Sequence, residues 1–421
     1  MKFISACKII EKNRKYRFLL KNISYFCIVK HLEMTFKTSL ISSILLIFSS
    51  IMPISAQNES TLDLDSIDIS LLTCSPHEEI YSLYGHSALR YHDLRTGEDV
   101  VFNWGLFNFN APHFVLRFVF GLTDYELGTT PMPYFCNYYR KWGSSVTEQK
   151  LNLTSEEKKA IIQALTDNLM PDNRIYRYNF FYDNCSTRPR DIVLKSISGK
   201  IEYQLREDFF PTYREMVHEC VRNHPWAKFG NDILLGIKAD QPTNHEQQEF
   251  LPQNLMYDFD HAQVYKDGEY RPLIVQRDLL VPPGVQIIES DFPLSPLTTF
   301  LIFLVISLCV LVLEWRRRKT YKYWDALLML LQGLAGCVLF AMLFSEHPTT
   351  STNLQILLLN PLPLFFIPAI LKRKKNTRWW TILLVMIILF FIGRCFQVYA
   401  EGMIILALCL LIRYWSHYKN A

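Results

Sequence analysis

"SLYGHSALRYHDLRTGEDVVFNWGLFNF", residues 82–109, alternates apolar and polar positions on either side of the turn-forming "LRTGED" and predicts a β-hairpin. Side chains two apart share a face of a strand, so Leu89 and Tyr91 lie on one side and Ala88, Arg90 and His92 on the other. His86, just after Gly85, falls on the Ala88 side. The returning strand brings Asn103 or Asn108 within reach of it, and His92 is a third group able to orient it. Further on, "LNLTSEEKKAIIQAL" sets Thr154 three residues ahead of Glu157, a capping box opening an amphipathic helix. Hairpin and helix together predict an α+β domain with an antiparallel sheet and packed helices.

A partner for the imidazole stands in "YNFFYDNCSTRPRD", residues 178–191. Asn184, Ser186 and Thr187 all favour helix N-caps, and Pro189 is tolerated in a first turn, so Cys185 sits at or just before a helix start. The helix dipole, together with Arg188 and Arg190, lowers a thiol pKa there, and a neighbouring imidazole holds the thiolate as an ion pair. First-turn N–H groups are candidate oxyanion donors. Asn184, Ser186, Thr187, Arg188 and Arg190 are therefore the expected substrate and oxyanion residues, with Cys185 as nucleophile and His86 as general base and acid. Two other readings of Cys185 stay open: a buried structural cysteine, or a disulfide with Cys74, Cys136 or Cys220. No CxxC pair or HExxH helix points to zinc, and no cofactor is expected. The other histidines, among them His77 and His245, have no comparable context and read as surface or capping residues.

The chain has 421 residues, half of them hydrophobic, with a net charge of +4 that gives no sign of nucleic-acid binding. Residues 57–290 form the mixed, aromatic-rich domain, long enough to bury a core. Residues 34–56 read as a signal peptide cleaved after Ala56, preceded by a segment, 1–33, that is not translated if Met34 is the start. Five apolar segments follow at 297–313, 324–344, 354–371, 379–396 and 399–415, an all-α transmembrane domain. Two strongly basic loops, "EWRRRKTYKY" and "KRKKNTR", flank the second and third segments, whereas "SEHPTTSTN" between them carries no Lys or Arg. The positive-inside bias puts the basic loops and the C-terminus in the cytoplasm and the first domain on the outer side. "NPLPLFFIP" (360–368) has three prolines that break or kink a spanning helix. "HFVLRFVFGL" (113–122) is either core or an apolar flap facing acyl chains or the membrane.

"GHSALRYHD", "FNWGLFNF", "LNLTSEEK", "YNFFYDNCSTRPRDI" and "FLPQNL", with the five-segment tail, resemble the Lnb-type lipoprotein N-acyltransferases of Bacteroidota over roughly residues 60–415. The His-then-Cys order is also similar, remotely, to circularly permuted papain/NlpC-like thiol enzymes, including lecithin:retinol acyltransferase. In the family the position of Asn108 is often Asp, so here Asn103 or Asn108 would orient His86 as an amide. The resemblance implies an inner-membrane enzyme with a periplasmic thiol domain. It would move an acyl chain from a membrane phospholipid, through a thioester on Cys185, to the α-amine of a diacylated lipoprotein's N-terminal cysteine. A cysteine amidopeptidase or hydrolase, or a non-enzymatic membrane assembly factor, are the alternative expectations.

Overall fold

The computed structural model describes residues 63–107, 112–286, 292–372 and 378–419. The expected signal peptide and the segment before it lie outside these, as does Asn108. The N-terminal part is built on ten strands: β1 (Ile67–Cys74), β2 (His86–Asp93), β3 (Glu98–Leu106), β4 (Asp124–Pro131), β5 (Val146–Leu151), β6 (Ile175–Arg177), β7 (Lys200–Tyr203), β8 (Ala262–Lys266), β9 (Glu269–Pro272) and β10 (Ile274–Val281). Seven of them form one antiparallel sheet in the order β10-β5-β1-β2-β3-β4-β6, and β7-β8-β9 form a second. Between them run α1 (Phe114–Val119), α2 (Met132–Trp142), α3 (Ser155–Leu169), α4 (Thr187–Ser196), α5 (Tyr213–Cys220), α6 (Pro225–Leu234), α7 (His245–Gln248) and α8 (Pro252–Asp260). The tail carries α9 (Pro296–Arg317), α10 (Lys322–Met342), α11 (Leu362–Leu371), α12 (Arg378–Gly393) and α13 (Met403–Lys419). The architecture is α+β followed by an all-helical domain.

The hairpin forms as its alternation dictates, with β2 and β3 joined across residues 94–97. Its two faces enter different cores. Leu89 and Trp104 join Ile69, Leu71, Ile161 and Phe259 under α3 and α8, while Ala88 and Val101 join Leu72, Met132 and Phe135 under α2. The helix α3 starts at the expected capping box: the Thr154 hydroxyl accepts from Glu157 N, and the Glu157 carboxylate accepts from Thr154 N.

In the tail, α9, α10 and the stretch Leu354–Leu371 are long and apolar enough to cross a membrane, and α12 and α13 are shorter apolar helices. The proline-rich stretch is interrupted: a 3-10 turn over Leu354–Leu357 is followed by a break before α11, with Pro368 inside it. A freed backbone group finds a partner, as a low-dielectric setting demands: the Leu358 carbonyl accepts from Gln332 Nε2 at 2.6 Å. Gly336 of α10 makes room for this break, because a Cβ there would collide with the backbone of Asn360. At one end of the bundle Arg413 is fully enclosed. Its guanidinium donates to both Glu314 carboxylate oxygens (2.7 and 2.9 Å) and to Asp325 (2.6 Å), while Ser416 and His417 complete the two carboxylates. This ties α9, α10 and α13 together.

The opposite end of the bundle docks on the sheet domain through backbone groups. Gly236 N donates to Thr349 O and Ile237 N to Thr352 O (2.8 and 2.9 Å). Three side-chain amides, Asn353, Gln355 and Gln397, donate to the carbonyls of Ile233, Asp232 and Leu235 at 2.7, 2.7 and 3.0 Å. Beneath them the buried Arg214 is held by Asp232 (2.7 Å) and Asp240 (2.6 Å), and Asp240 also accepts from Val398 N.

Replacing Arg413 by Leu strands two buried carboxylates and should destabilise the bundle by about 3–5 kcal/mol, read as a lower thermal midpoint in detergent. Gly336→Val forces a side chain against a backbone that cannot yield. It should cost about 1–3 kcal/mol or more in the same assay. A wild-type midpoint in either variant would contradict these packing assignments.

Candidate active site

The β2–β3 ladder begins at Leu89–Phe102, so His86 and Ser87 are paired only to β1, at Cys74 and Thr73. On the other side β3 is bulged between Trp104 and Leu106, where Gly105 takes φ 103°. A bulge of this kind bends the strand away and re-aims its neighbours. The opening between β2 and β3 receives the loop before α4: a Cβ on Gly105 would sit 3.9 Å from both the Cys185 Cβ and the His86 Cε1. Ser87 Oγ and Ser186 Oγ, 3.1 Å apart, pin loop to strand.

Of the two amides expected within reach of His86, Asn103 is the one the structure describes beside it. His86 Nε2 lies 2.7 Å from Asn103 Oδ1, which fixes Nε2 as the donor and leaves Nδ1 as the nitrogen that meets the thiol. Burial alone would push the Cys185 thiol up. The His86 charge and hydrogen bond, followed by the backbone N–H groups of Ser87 and Cys185 itself, outweigh it and bring the thiol below its ordinary value. The opposite balance holds for His86. Burial pulls the imidazole down, and the charge and hydrogen bond of Cys185, with that of Asn103, raise it above its ordinary value. Both shifts run in the direction of a thiolate–imidazolium pair.

The other residues expected here are placed differently. His92 stands six residues along β2, roughly 20 Å from His86 at strand rise, beside Arg90 (3.5 Å). The buried Asn184 is a connector: its Oδ1 accepts from the N–H groups of Ser186 and Thr187 (2.8 and 3.0 Å), and its Nδ2 donates to the carbonyls of Phe180 and Phe250 (2.8 and 2.9 Å). The first-turn amides expected to face an oxyanion are thus already engaged. The N–H groups directed at the sulfur are those of Cys185 and Ser87. Arg188 is clamped by Asp183 (2.6 and 2.8 Å) over the Tyr176 ring, and Arg190 is buried against Asp191, Glu249 and the Glu246 carbonyl. Both arginines brace the loop. Cys74, Cys136, Cys185 and Cys220 are all free thiols.

His86 and Asn103 open onto a cavity of about 500 Å³ walled by Tyr81, Phe107, Tyr134, Phe135, Tyr138 and Tyr139. His77, read from sequence as a surface residue, is instead buried at its edge, stacked on Trp142 with centroids 4.7 Å apart. Phe107 leads out of the cavity to Phe114 of α1 (6.0 Å), and α1 presents Leu116 and Phe118 to the exterior. The stretch 113–122 therefore exposes apolar side chains rather than burying them in a core. Phe118 lies 6.3 Å from the ring of His347, and Glu346 N donates to Phe120 O, just past the end of α10.

Residues 55–219 match the family model described as the Lnb N-terminal periplasmic domain, and residues 287–421 match the Lnb transmembrane domain. No curated protein and no solved structure matches the chain. His86, Asn103 and Cys185 fall within the first match and all five tail helices within the second, and with these two domains in this order the chain belongs to the Lnb family: a membrane protein with a periplasmic N-terminal domain.

Proposed function

We propose that this protein is a lipoprotein N-acyltransferase of the inner membrane, with its C-terminus in the cytoplasm. The observation that carries the reading is the partly buried Cys185–His86–Asn103 array, whose His86 and Asn103 line an aromatic cavity with a wall that continues, through Phe107 and α1, to the end of a membrane helix. A thiolate in that position meets an ester whose acyl chain extends into apolar surroundings.

In the first half-reaction Cys185 Sγ attacks the ester carbonyl of a phospholipid, and the oxyanion is stabilised by the N–H groups of Cys185 and Ser87. The carbon–oxygen bond breaks, the imidazolium of His86 protonates the leaving alkoxide, and a lysophospholipid departs from a thioester. In the second half-reaction the α-amine of a diacylated lipoprotein's N-terminal cysteine attacks the thioester. The carbon–sulfur bond breaks, His86 takes the proton lost by the amine, and the ion pair is restored. An α-amine titrates near pH 8, so about a tenth is already nucleophilic at neutral pH. Asn103 keeps the imidazole in register through both steps.

Cys185→Ser should lower N-acylation by about 10³-fold or more. Mass spectrometry of lipoproteins from cells with no other copy of the enzyme then shows them diacylated. Incubation of the wild-type protein with labelled phospholipid should leave a hydroxylamine-labile acyl adduct on Cys185. N-acylation that persists in Cys185→Ser would remove the thiol from the mechanism, and peptide cleavage without an adduct would assign the site to hydrolysis.

The ion pair also sets a pH dependence. Activity falls at low pH as the Cys185 thiolate is protonated through its lowered pKa, and at high pH as His86 loses its proton through its raised one. In His86→Ala the burial of the thiol is no longer opposed by the imidazolium, so the half-point for iodoacetamide alkylation of Cys185 should move upward. An unchanged alkylation profile would show that His86 does not set the thiol.

A further inference from the structure

Beside α4, a second cluster of chemistry-bearing residues lies outside the thiol site. His245 opens α7, Glu249 follows it one turn later on the same face, and Asp258 projects from α8. One ligand-type atom from each lies within 4.8 Å of the others. Glu249 and Asp258 are 1 % and 3 % exposed. His245 Nδ1, Glu249 Oε1 and Asp258 Oδ2 are all buried without a hydrogen-bond partner, and so is the hydroxyl of Tyr203, whose ring rests on His245 with centroids 4.8 Å apart.

Three unsatisfied polar atoms drawn together in this way, with the Tyr203 hydroxyl a fourth, would each carry a desolvation cost of about 1–3 kcal/mol. Two of them are carboxylate oxygens facing one another, which adds repulsion. The cations nearby are committed elsewhere. Arg190 holds the other Glu249 oxygen, Oε2, at 3.2 Å and is shared with Asp191 and the Glu246 carbonyl. Arg206 donates to Asn254 and lies over the rings of Phe209 and Tyr257, and His261 bonds the Tyr257 carbonyl.

The geometry points to a structural divalent-cation site here, with His245 Nδ1, Glu249 Oε1 and Asp258 Oδ2 as ligands of a zinc ion. One imidazole nitrogen and two carboxylates suit zinc rather than calcium, which prefers six or more oxygens. The two carboxylates neutralise the ion's charge. Zinc bonds of about 2 Å place ligand atoms roughly 3.3 Å apart, so small side-chain rotations close the shell. A water or the Tyr203 hydroxyl takes the fourth position. Because Glu249 keeps Arg190 on its other oxygen, the ion braces α4, whose N-terminus follows Cys185, against α7 and α8. His245 and Glu249 have the i, i+4 spacing of HExxH ligands, but a glutamate stands where the second histidine would be and the third ligand comes from a different helix.

The test uses the full-length protein in detergent, in a Cys185→Ser background so that the thiolate is not a rival ligand. After incubation with zinc and dialysis against metal-free buffer, elemental analysis should find roughly one zinc per chain. Zinc should also raise the thermal midpoint. The partly exposed His245→Gln and the buried Asp258→Asn should each lose the metal and the zinc-dependent shift. Should Asp258→Asn fail to fold, His245→Gln decides, with retained helical circular dichroism as its control. Background zinc in the parent, a midpoint indifferent to zinc, or undiminished zinc in folded His245→Gln would overturn the site in favour of two carboxyls sharing a proton.

Discussion

The side chain of Asn184 is the point on which the site depends. One amide group, almost wholly buried, uses both its oxygen and its nitrogen twice. It accepts the first two N–H groups of the turn into α4 and ties the aromatic loop at Phe180 to the segment at Phe250, sixty-six residues further along. Cys185 is consequently held between two fixed peptide units, and its sulfur can enter the opening left where β3 bulges at Gly105. An aspartate would keep the two acceptances but lose both donations and bring an uncompensated charge into the core. The requirement is for an amide in this position, which gives a physical reason for Asn next to the cysteine that is independent of any contact with substrate.

That same residue marks where sequence reading reached its limit. The hairpin, the reach of Asn103 to His86, and the capping box of α3 follow from local alternation and spacing, and they form as expected because nothing non-local competes. The first-turn N–H groups of Ser186 and Thr187 look free in sequence because the competing acceptor is a neighbour's side chain, whose choice is set by Phe250 far along the chain. Arg188 and Arg190 suit a thiolate by proximity in sequence, yet each finds a carboxylate first. His92 shares a face with His86, but a face is about twenty ångströms long over six residues. His77 gains its surroundings only when α2 packs against it, and His245, although Glu249 follows it at helical spacing, gains its third partner only when α8 packs against it.

Docking of the sheet domain on the helical domain is likewise carried by groups without a sequence signature. Backbone amides at Gly236 and Ile237 meet backbone carbonyls past α10, and three amide side chains meet the carbonyls at the end of α6. Gly236 has no side chain because a Cβ would strike the Thr352 carbonyl. Uncharged hydrogen bonds of this kind suit a boundary where water thins out, since they avoid the desolvation cost that bare charges would bring. The charged members, Arg214 with Asp232 and Asp240, sit one layer deeper and are fully paired. The result is a fixed relation between the cavity, α1 and the end of α10, which the proposed transfer between membrane-held substrates would require.

In the proposed cycle, the opposing influences on the Cys185–His86 pair carry a mechanistic consequence. Before reaction, each group is charged only because the other is: burial disfavours both ions, and their mutual attraction with the Asn103 hydrogen bond reverses the balance. Acylation consumes the thiolate as a neutral thioester. The attraction that raised His86 then disappears, while the burial that lowers it stays, so the imidazole favours its neutral form. A neutral imidazole is the state the second half-reaction needs, because it must accept the proton of the attacking amine. When the amide product forms and the thiolate is regenerated, the attraction returns and His86 is again held as the acid for the next ester. In that cycle the same pair changes from acid to base with the chemical state of the sulfur, without a conformational switch, because burial stays when the attraction is lost.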